Sequence, residues 1–561
     1  MKRQQNFSEK IQLFFELHWI KLIGVVVLIL SIAWPTITLL GMDSYQRQYL
    51  YAMVSLTPIQ SIIYTIPFIG GYWWLFSGGM GIGKLSKNAI KPGQINIHWN
   101  DVIGLEEAKL EAWEVVELLR DHAKVERIGG KVLRGVLLSG PHGCGKTYLA
   151  KAIATESGLP FLSVSGSEFI EIFVGTGPAR VRKIFKKAQQ LARTEGGCLI
   201  FIDELDAVGT SRGTDLGFGA QTERNNTVNE LLVQMDGLES LKYNVVVIGA
   251  TNASESVLDQ ALLRPGRLDR KIYVDRPGLE DREKLYRFYL NKIKTEPSVD
   301  VARLARRSVW KSAADIENIV KEGALIATRN KHELVSLKDL SDALDRVELG
   351  FKRRRKMSED ERRRIAFHEA GHIVVTYLLH PTDDVFKASI ISRRDALGVV
   401  YHQPREELFT SSRSRIIANI KAALGGYVAE KLKFESTSDG VAADFHNAML
   451  QAHQMVWRLG MGTNGFVGDY EALLSSSMFR GAGTSDRISD RTKDRLNEET
   501  HQILTQCTKD VETLLRAEDV LLERFAKELL AKEELEYDDI EAVFVEYGKQ
   551  RTFPSANPTP S

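Results

Sequence analysis

Two short stretches of this chain carry residue types that do chemistry. The first is His368-Glu369-Ala370-Gly371-His372. Histidines four apart fall one turn apart on one face of a helix, so both rings can reach one metal ion. Glu369 then sits beside that ion, where a water can be activated. A catalytic zinc needs three protein ligands and one open position, so a third ligand must come from elsewhere in the chain. By residue type alone, His446 and His453 are the leading candidates for it. The second stretch is Gly140-Pro141-His142-Gly143-Cys144-Gly145-Lys146-Thr147, which fits G-x-x-x-x-G-K-[ST]. Its glycines let backbone N–H groups wrap phosphate oxygens at a helix N-terminus. Lys146 is placed for the β- and γ-phosphates and the Thr147 hydroxyl for Mg²⁺. Cys144 reads as a filler of this loop.

Other residues extend the phosphate chemistry. Cys198–Ile202 is a buried-strand pattern ending in Asp203-Glu204. Asp203 suits an outer-sphere contact to Mg²⁺, and Glu204 would polarise an attacking water. The run Val245–Ile248 leads to Thr251-Asn252, where Asn252 can orient that water.

These groups need elements to hold them. The aliphatic run through Val132-Leu133 and Val136–Leu138 predicts the strand that feeds the phosphate loop, with a helix after it. Pro277 to Gly350 is helical by periodicity. Glu359–His380 predicts one helix, stopped by Pro381, which carries both histidines. Ala388–Ser392 predicts a strand near the metal, whose edge could bind an extended peptide. Ile416–Leu432 predicts a helix in which Gly425-Gly426 allow close packing. Arg487–Phe544 is charged and helical, and the proline-rich Arg551–Ser561 reads as disordered.

The chain has 561 residues, too many for one core, and its formal net charge is +1. Three or four domains are expected, and no global charge calls for nucleic acid. The basic runs Lys352–Lys356 and Arg362–Arg364 read as a solvated linker and helix face. Three scattered cysteines, with no C-x-x-C pair, place the main body in a reducing compartment.

Trp19–Leu40 and Ile59–Met80 are apolar runs of the length a bilayer requires. Lys2, Arg3 and Lys10 precede the first, and Lys84, Lys87 and Lys91 follow the second. The positive-inside rule puts both ends on the cytoplasmic side. The loop between the runs is too short for a folded domain, and Gly78–Gln94 reads as a flexible linker.

The order of phosphate loop, Asp203-Glu204 strand, Thr251-Asn252 strand tip and Arg264-Pro265-Gly266-Arg267 resembles an AAA+ ATPase. With the helical H-E-x-x-H behind it, the chain resembles the FtsH family of membrane-anchored AAA+ zinc proteases from about Asp101 to Phe544. The resemblance implies a multidomain architecture. It comprises a tail (1–18), two N-terminal transmembrane helices (19–40 and 59–80) and a linker (81–97). An AAA+ α/β P-loop domain (98–276) with a helical lid (277–352) follows, then a mainly α-helical zinc metalloprotease domain (353–550) and a tail (551–561). It implies nucleotide contacts from Ile103, Gly104 and Gly140 through Tyr148, with Asp203. It makes Asp444, in Thr437–Asp444, the third zinc ligand, and Glu369 the general base. It makes Arg264 and Arg267 fingers that reach the neighbouring subunit's γ-phosphate, hence a homo-oligomeric ring, a hexamer. It makes Phe173-Val174-Gly175 the substrate-gripping pore loop. The implied cofactors are one Zn²⁺ per subunit, ATP and Mg²⁺. The implied partners are the lipid bilayer and unfolded or membrane protein substrates, with no nucleic acid. The implied activity is ATP-dependent endoproteolysis in protein quality control, on the cytoplasmic, matrix or stromal face of the membrane. The alternative is an unfoldase or assembly chaperone with an idle protease site. The chain departs from the family at Leu238, where phenylalanine is usual. It departs again at Trp310-Lys311-Ser312-Ala313-Ala314-Asp315, where Gly-x-Ser-Gly-Ala-Asp is usual, and in its short loop between the spans.

Overall fold

Long β-branched and aliphatic runs with no polar alternation become strands buried on both faces, which is the habit of parallel sheets. The computed structural model shows such a sheet. It describes residues 97–120, 133–170, 176–210, 220–238, 244–352, 355–393, 397–473 and 488–551, with short pieces between 41 and 90. The chain divides into two units, Met1–Asn88 and Ala89–Ser561, and every named strand and helix belongs to the second.

In chain order the nucleotide-module elements are β1 (Ala89–Ile90), α1 (Glu106–Arg120), β2 (Gly135–Ser139), α2 (Lys146–Ser157), β3 (Phe161–Ser165), α3 (Thr176–Glu195), β4 (Gly197–Asp203), α4 (Ala220–Asp236), β5 (Asn244–Thr251) and β6 (Arg270–Tyr273). The strands form one sheet in the order β1-β3-β4-β5-β2-β6. All pairings are parallel except β1 with β3. The edge strand β1 lies inside the stretch that reads as linker; Ala89 and Ile90 pair with Leu162 and Phe161 instead. In open α/β sheets ligands bind beyond the carboxyl ends of the strands. Here those ends carry the phosphate loop after β2, Asp203 at the end of β4 and Asn252 just past β5.

Four helices follow, α5 (Leu279–Leu290), α6 (Val301–Arg307), α7 (Ala313–Arg329) and α8 (Leu337–Leu349), around their own apolar core of Leu285, Tyr286, Leu304, Ile316, Ile319 and Leu340. Ser312 and Ser336 each cap a helix with an aspartate three residues on, closing capping boxes that fix the starts of α7 and α8. Trp310 takes a left-handed backbone, φ 62°. A side chain in this region costs about 1–2 kcal/mol.

The last module comprises α9 (Glu359–Leu379), β7 (Asp383–Ser389), β8 (Val399–Pro404), α10 (Arg413–Phe434), α11 (Ala442–His453), α12 (Asp490–Ala517), α13 (Asp519–Lys532), β9 (Glu534–Glu536) and α14 (Tyr537–Glu546). Helix α9 is buried among α10 and α13, with Ala370, Ile373, Val374, Phe525 and Leu529 in the shared core. It crosses α10 so closely that a Cβ on Gly425 would come within 2.8 Å of the Gly371 carbonyl oxygen.

The strand predicted over Ala388–Ser392 is displaced. It runs over Asp383–Ser389, and it is the centre of an antiparallel sheet ordered β8-β7-β9 rather than an edge. The two edges belong to β8 and the short β9. Periodicity misplaced the strand because β7 is buried almost continuously along its length and so lacks an alternating face. The expected disorder from Arg551 also needs correction at its first residue. Arg551 donates to the carbonyls of Thr376, Tyr377, His380 and Asp383, satisfying the last turn of α9. Residues 552–561 lie outside the described ones.

Lid and protease modules meet through a buried charge network. Asp345 of α8 pairs with Arg307 and with Lys387 of β7. Lys387 also reaches Glu536 at 2.5 Å, and Arg393 reaches Glu534 at 2.7 Å. Among the described residues no helix is long and apolar enough to cross a membrane; both runs read as spans fall almost wholly outside them.

Candidate metal centre and nucleotide site

Ser358 caps α9 and accepts from Glu361 N–H, so the helix runs unbroken through His368 and His372. Their Nε2 atoms lie 3.1 Å apart. Asp444, in the first turn of α11, brings Oδ2 to 3.1 Å from His368 Nε2 and 3.4 Å from His372 Nε2. Among the described residues this is the one His/Cys/Asp/Glu group able to hold a metal, its ligand atoms all within 4.8 Å of one another. His446 and His453 are not part of it. His446 is exposed on the outer face of α11, and His453 stacks on Trp457 at 4.9 Å. Residue type favoured a histidine; the helical register of α11 turns Asp444 inward instead.

Several observations fit the three groups to a cation. Asp444 Oδ2 is buried and faces only the two histidine Nε2 atoms. A Cβ on Gly426 would stand 2.5 Å from His368 Nε2 and 2.6 Å from His372 Nε2, so the space beside both nitrogens is open only because residue 426 is glycine. Two imidazoles and one carboxylate are the donor set of a catalytic zinc with an open position. The other ring nitrogens are engaged: His368 Nδ1 lies 2.8 Å from Glu430 Oε1, and His372 Nδ1 2.7 Å from the Ala422 carbonyl. Such contacts fix the rings and leave Nε2 as the ligating atom. Burial acts to lower the pKa of His368, but its bonds to Asp444 and Glu430 outweigh this and raise it to about 10 in the metal-free chain. Burial would raise that of Asp444, yet the two histidines hold it well below the carboxylate range.

Glu430 was not legible as a functional residue, although it lies one turn after Gly426 on the same face of α10. It is 1% exposed and also accepts from Ser438 N at 2.7 Å and from the Ser438 hydroxyl at 3.0 Å. Gly398 was missed as well. It immediately precedes β8, and a Cβ there would lie 2.8 Å from Glu369 Cδ. The chain entering the edge strand therefore runs against the Glu369 carboxylate, which is 5% exposed and whose pKa burial raises.

At the second site Lys146 turns back into its loop, donating to the carbonyls of Gly140 and Pro141 at 2.7 Å each, and to Asn252 Oδ1. Thr147 donates to Asp203 Oδ2 at 2.8 Å. Glu204 is exposed with φ 50°, a strained backbone that aims it away from β4. Cys144 is buried, and burial pushes its thiol up, as for an unreactive cysteine. Ile103 packs against the lid core, and a Cβ on Gly104 would come 2.8 Å from Asp281 Cγ, so this segment lies between sheet and lid. Tyr148 is partly exposed one residue beyond Thr147. The lid loop closes over the phosphate loop, with Ala314 N donating to Gly143 O at 3.1 Å.

The two arginines differ. Arg264 is exposed, and its side chain has no partner among the described residues. Arg267 grips Asp236 through two bonds of 2.7 and 2.8 Å. Leu238, two residues on, is fully buried. Phe173, Val174 and Gly175 lie outside the described residues.

Comparison with known proteins gives matches along the same division. The model of Peptidase family M41 matches residues 355–543, that of the ATPase family associated with various cellular activities (AAA) matches 136–276, and a TIP49 P-loop domain matches 81–189. The chain is similar to the "ATP-dependent zinc metalloprotease FtsH" of Thermobaculum terrenum, 39% identical over 490 residues, covering 85% of this chain and 75% of that one. It is 40% identical to the "ATP-dependent zinc metalloprotease FtsH 2" of Methylacidiphilum infernorum over 487 residues, 86% of this chain and 74% of that one. It is 40% identical to the FtsH of Chlorobium luteolum over 500 residues, 86% and 70% respectively.

Proposed function

The chain belongs to the FtsH family of ATP-dependent zinc metalloproteases, and we infer that its nucleotide module feeds protein to the centre formed by His368, His372 and Asp444. It is an ATP-dependent zinc endopeptidase, with Zn²⁺, ATP and Mg²⁺ as cofactors. The reading of an unfoldase with an idle protease site is set aside: the match to the peptidase family runs through the intact H-E-x-x-H.

The convergence of three ligand atoms beside a buried carboxylate carries this reading. His368, His372 and Asp444 would hold zinc, which supplies a Lewis acid for the scissile carbonyl and the attacking water. Glu369 takes the proton of that water and returns it to the leaving amine. Glu430 holds the His368 ring so that Nε2 faces the centre. An extended substrate adds to the open edge of β8, which follows directly on Gly398 beside Glu369.

For the motor, Lys146 would leave its loop carbonyls for the β/γ-phosphates, and Thr147 and Asp203 would hold Mg²⁺. Glu204 and Asn252 align water, and Gly140 through Tyr148 with Ile103 and Gly104 enclose the nucleotide. Arg264 enters the neighbouring subunit's site, and Arg267 acts beside it from its hold on Asp236. The assembly is a homohexamer, with Phe173-Val174-Gly175 gripping unfolded or membrane protein in the pore. Residues 19–40 and 59–80 anchor it in a bilayer, with the N-terminus and the modules at 98–276, 277–352 and 353–550 on one side, cytoplasmic or the organellar equivalent.

The test compares degradation of an unfolded protein by wild type, Glu369→Gln and Glu204→Gln. Glu369→Gln should hydrolyse ATP and cut nothing, and Glu204→Gln should bind ATP and do neither. Full cleavage by zinc-loaded Glu369→Gln would end the assignment of the general base.

A further inference from the structure

Strand β8 belongs to the protease module, but both it and the segment leaving it are fastened to the ATPase lid. Glu407 pairs with Arg282 of α5, a guanidinium only 1% exposed that also donates to the carbonyls of Pro277 and Ala305 at 3.0 Å each. Phe409 meets Trp310 edge to face, with ring centroids 5.4 Å apart and planes at 88°. On β8 itself the Tyr401 phenol lies beside Glu348 of α8, which Lys311 engages at 2.9 Å.

Trp310 and Lys311 run directly into the residues that touch the phosphate loop. A Cβ on Gly143 would meet Ser312 Oγ at 2.6 Å and Ala314 Cβ at 3.0 Å, so no slack separates this lid loop from the nucleotide loop. At its other end, β8 is preceded by Gly398, which lies against Glu369. One short lid segment thus touches the nucleotide loop on one side and the outflow of the peptide-binding strand on the other. Trp310 holds that place with φ 62°, where glycine would be unstrained. Its ring contact with Phe409, which is 77% exposed, buries little and so adds little to folding.

We propose that Trp310 is a positioning residue for peptide cleavage: through Phe409 it sets β8 against Glu369, and it makes that setting depend on the nucleotide held at Gly143. This rests on the reading of β8 as the substrate edge. ADP and ATP differ at the γ-phosphate, which the loop around Gly143 would sense, and any shift of Ser312–Ala314 moves Trp310 with it. Coupling of two sites needs an element whose arrangement both sites bias, and the segment Trp310–Ala314 touches the nucleotide loop and Phe409 alike.

The experiment uses the full chain and a short, unstructured, internally quenched peptide, which needs no unfolding to reach the centre. Its kcat and KM are measured with ADP and with a non-hydrolysable ATP analogue. Wild type should differ about fivefold in kcat/KM between the two, the low end of ordinary allosteric coupling. Trp310→Gly and Phe409→Ala should bring that ratio close to one, and Trp310→Phe should retain it, while zinc content stays at the wild-type value and the melting temperature does not fall. Phe409 is exposed, so its variant folds even if Trp310→Gly does not. An unchanged ratio in Phe409→Ala overturns the proposal, as does a wild type indifferent to nucleotide. A wild type that never cuts the peptide overturns the function reading as well, and so is distinguishable from both.

Discussion

Glu430 Oε1 stands 2.8 Å from His368 Nδ1, on the side of the ring away from the ligating nitrogen. A buried carboxylate in that place fixes the tautomer and raises the basicity of the ligand. Glu430→Ala should lower zinc affinity about 10–100-fold. Zinc retained against graded chelator concentrations reads this out. Glu430→Gln, which keeps an acceptor oxygen, should lose less. Wild-type retention by the alanine variant would reduce Glu430 to a tether for Ser438 and Arg364.

Gly426 leaves open the space beside both ligating nitrogens. A methyl group there stands 2.5 and 2.6 Å from them, well inside contact. Gly426→Ala should therefore empty the metal centre while ATP hydrolysis continues, since the nucleotide site lies in another module. Metal analysis beside an ATPase assay checks both halves. Stoichiometric zinc in this variant would move the centre away from His368 and His372.

Arg264 and Arg267 should separate on substitution. Arg264→Ala removes only an exposed side chain, so the monomer should melt as wild type while the assembled ring loses about 10³-fold or more in ATP turnover. Arg267→Ala also breaks the paired bonds to Asp236, and it should lower the melting temperature besides. Nucleotide affinity should survive in both. Normal turnover by Arg264→Ala would leave Arg267 as the one finger.

The lid–protease junction should be acid-labile. Burial acts to raise the pKa of Glu534, but Lys387, Lys352 and Arg393 together bring it down to about 2. Its folded value lies below its unfolded one. The stabilisation is therefore essentially complete above about pH 4.5 and is lost as pH falls from there through about 2, a loss of about 3 kcal/mol. Asp345 and Glu536 share the same cations. Melting temperature against pH should fall more steeply for wild type than for Glu534→Gln. Parallel curves would show that the cluster contributes nothing to the acid limb.

Much of the chemistry was readable before any fold was known, and the reason is local geometry. His368 and His372 meet because one helical turn brings them together, and Gly140–Thr147 cradles phosphate because its own backbone turns. The positions of helices α9 and α10 followed from periodicity for the same reason. The strand near the metal did not: β7 is flanked on both sides, and an open edge fell to β8, whose pairing depends on distant residues.

The sequence alone therefore determined which reactions this protein can perform and the two local motifs that perform them. Tertiary structure decided what completes them. Asp444 rather than His446 or His453 faces the histidines because of how α11 is rotated against α10. Glu430 and Gly398 enter the site, and Arg267 separates from Arg264, through contacts between elements far apart in the chain. Trp310 joins the motor to the cutting strand in the same way. Spacing encodes what one turn of backbone can bring together, whereas contacts across a helix crossing or a module junction exist only once the chain has packed.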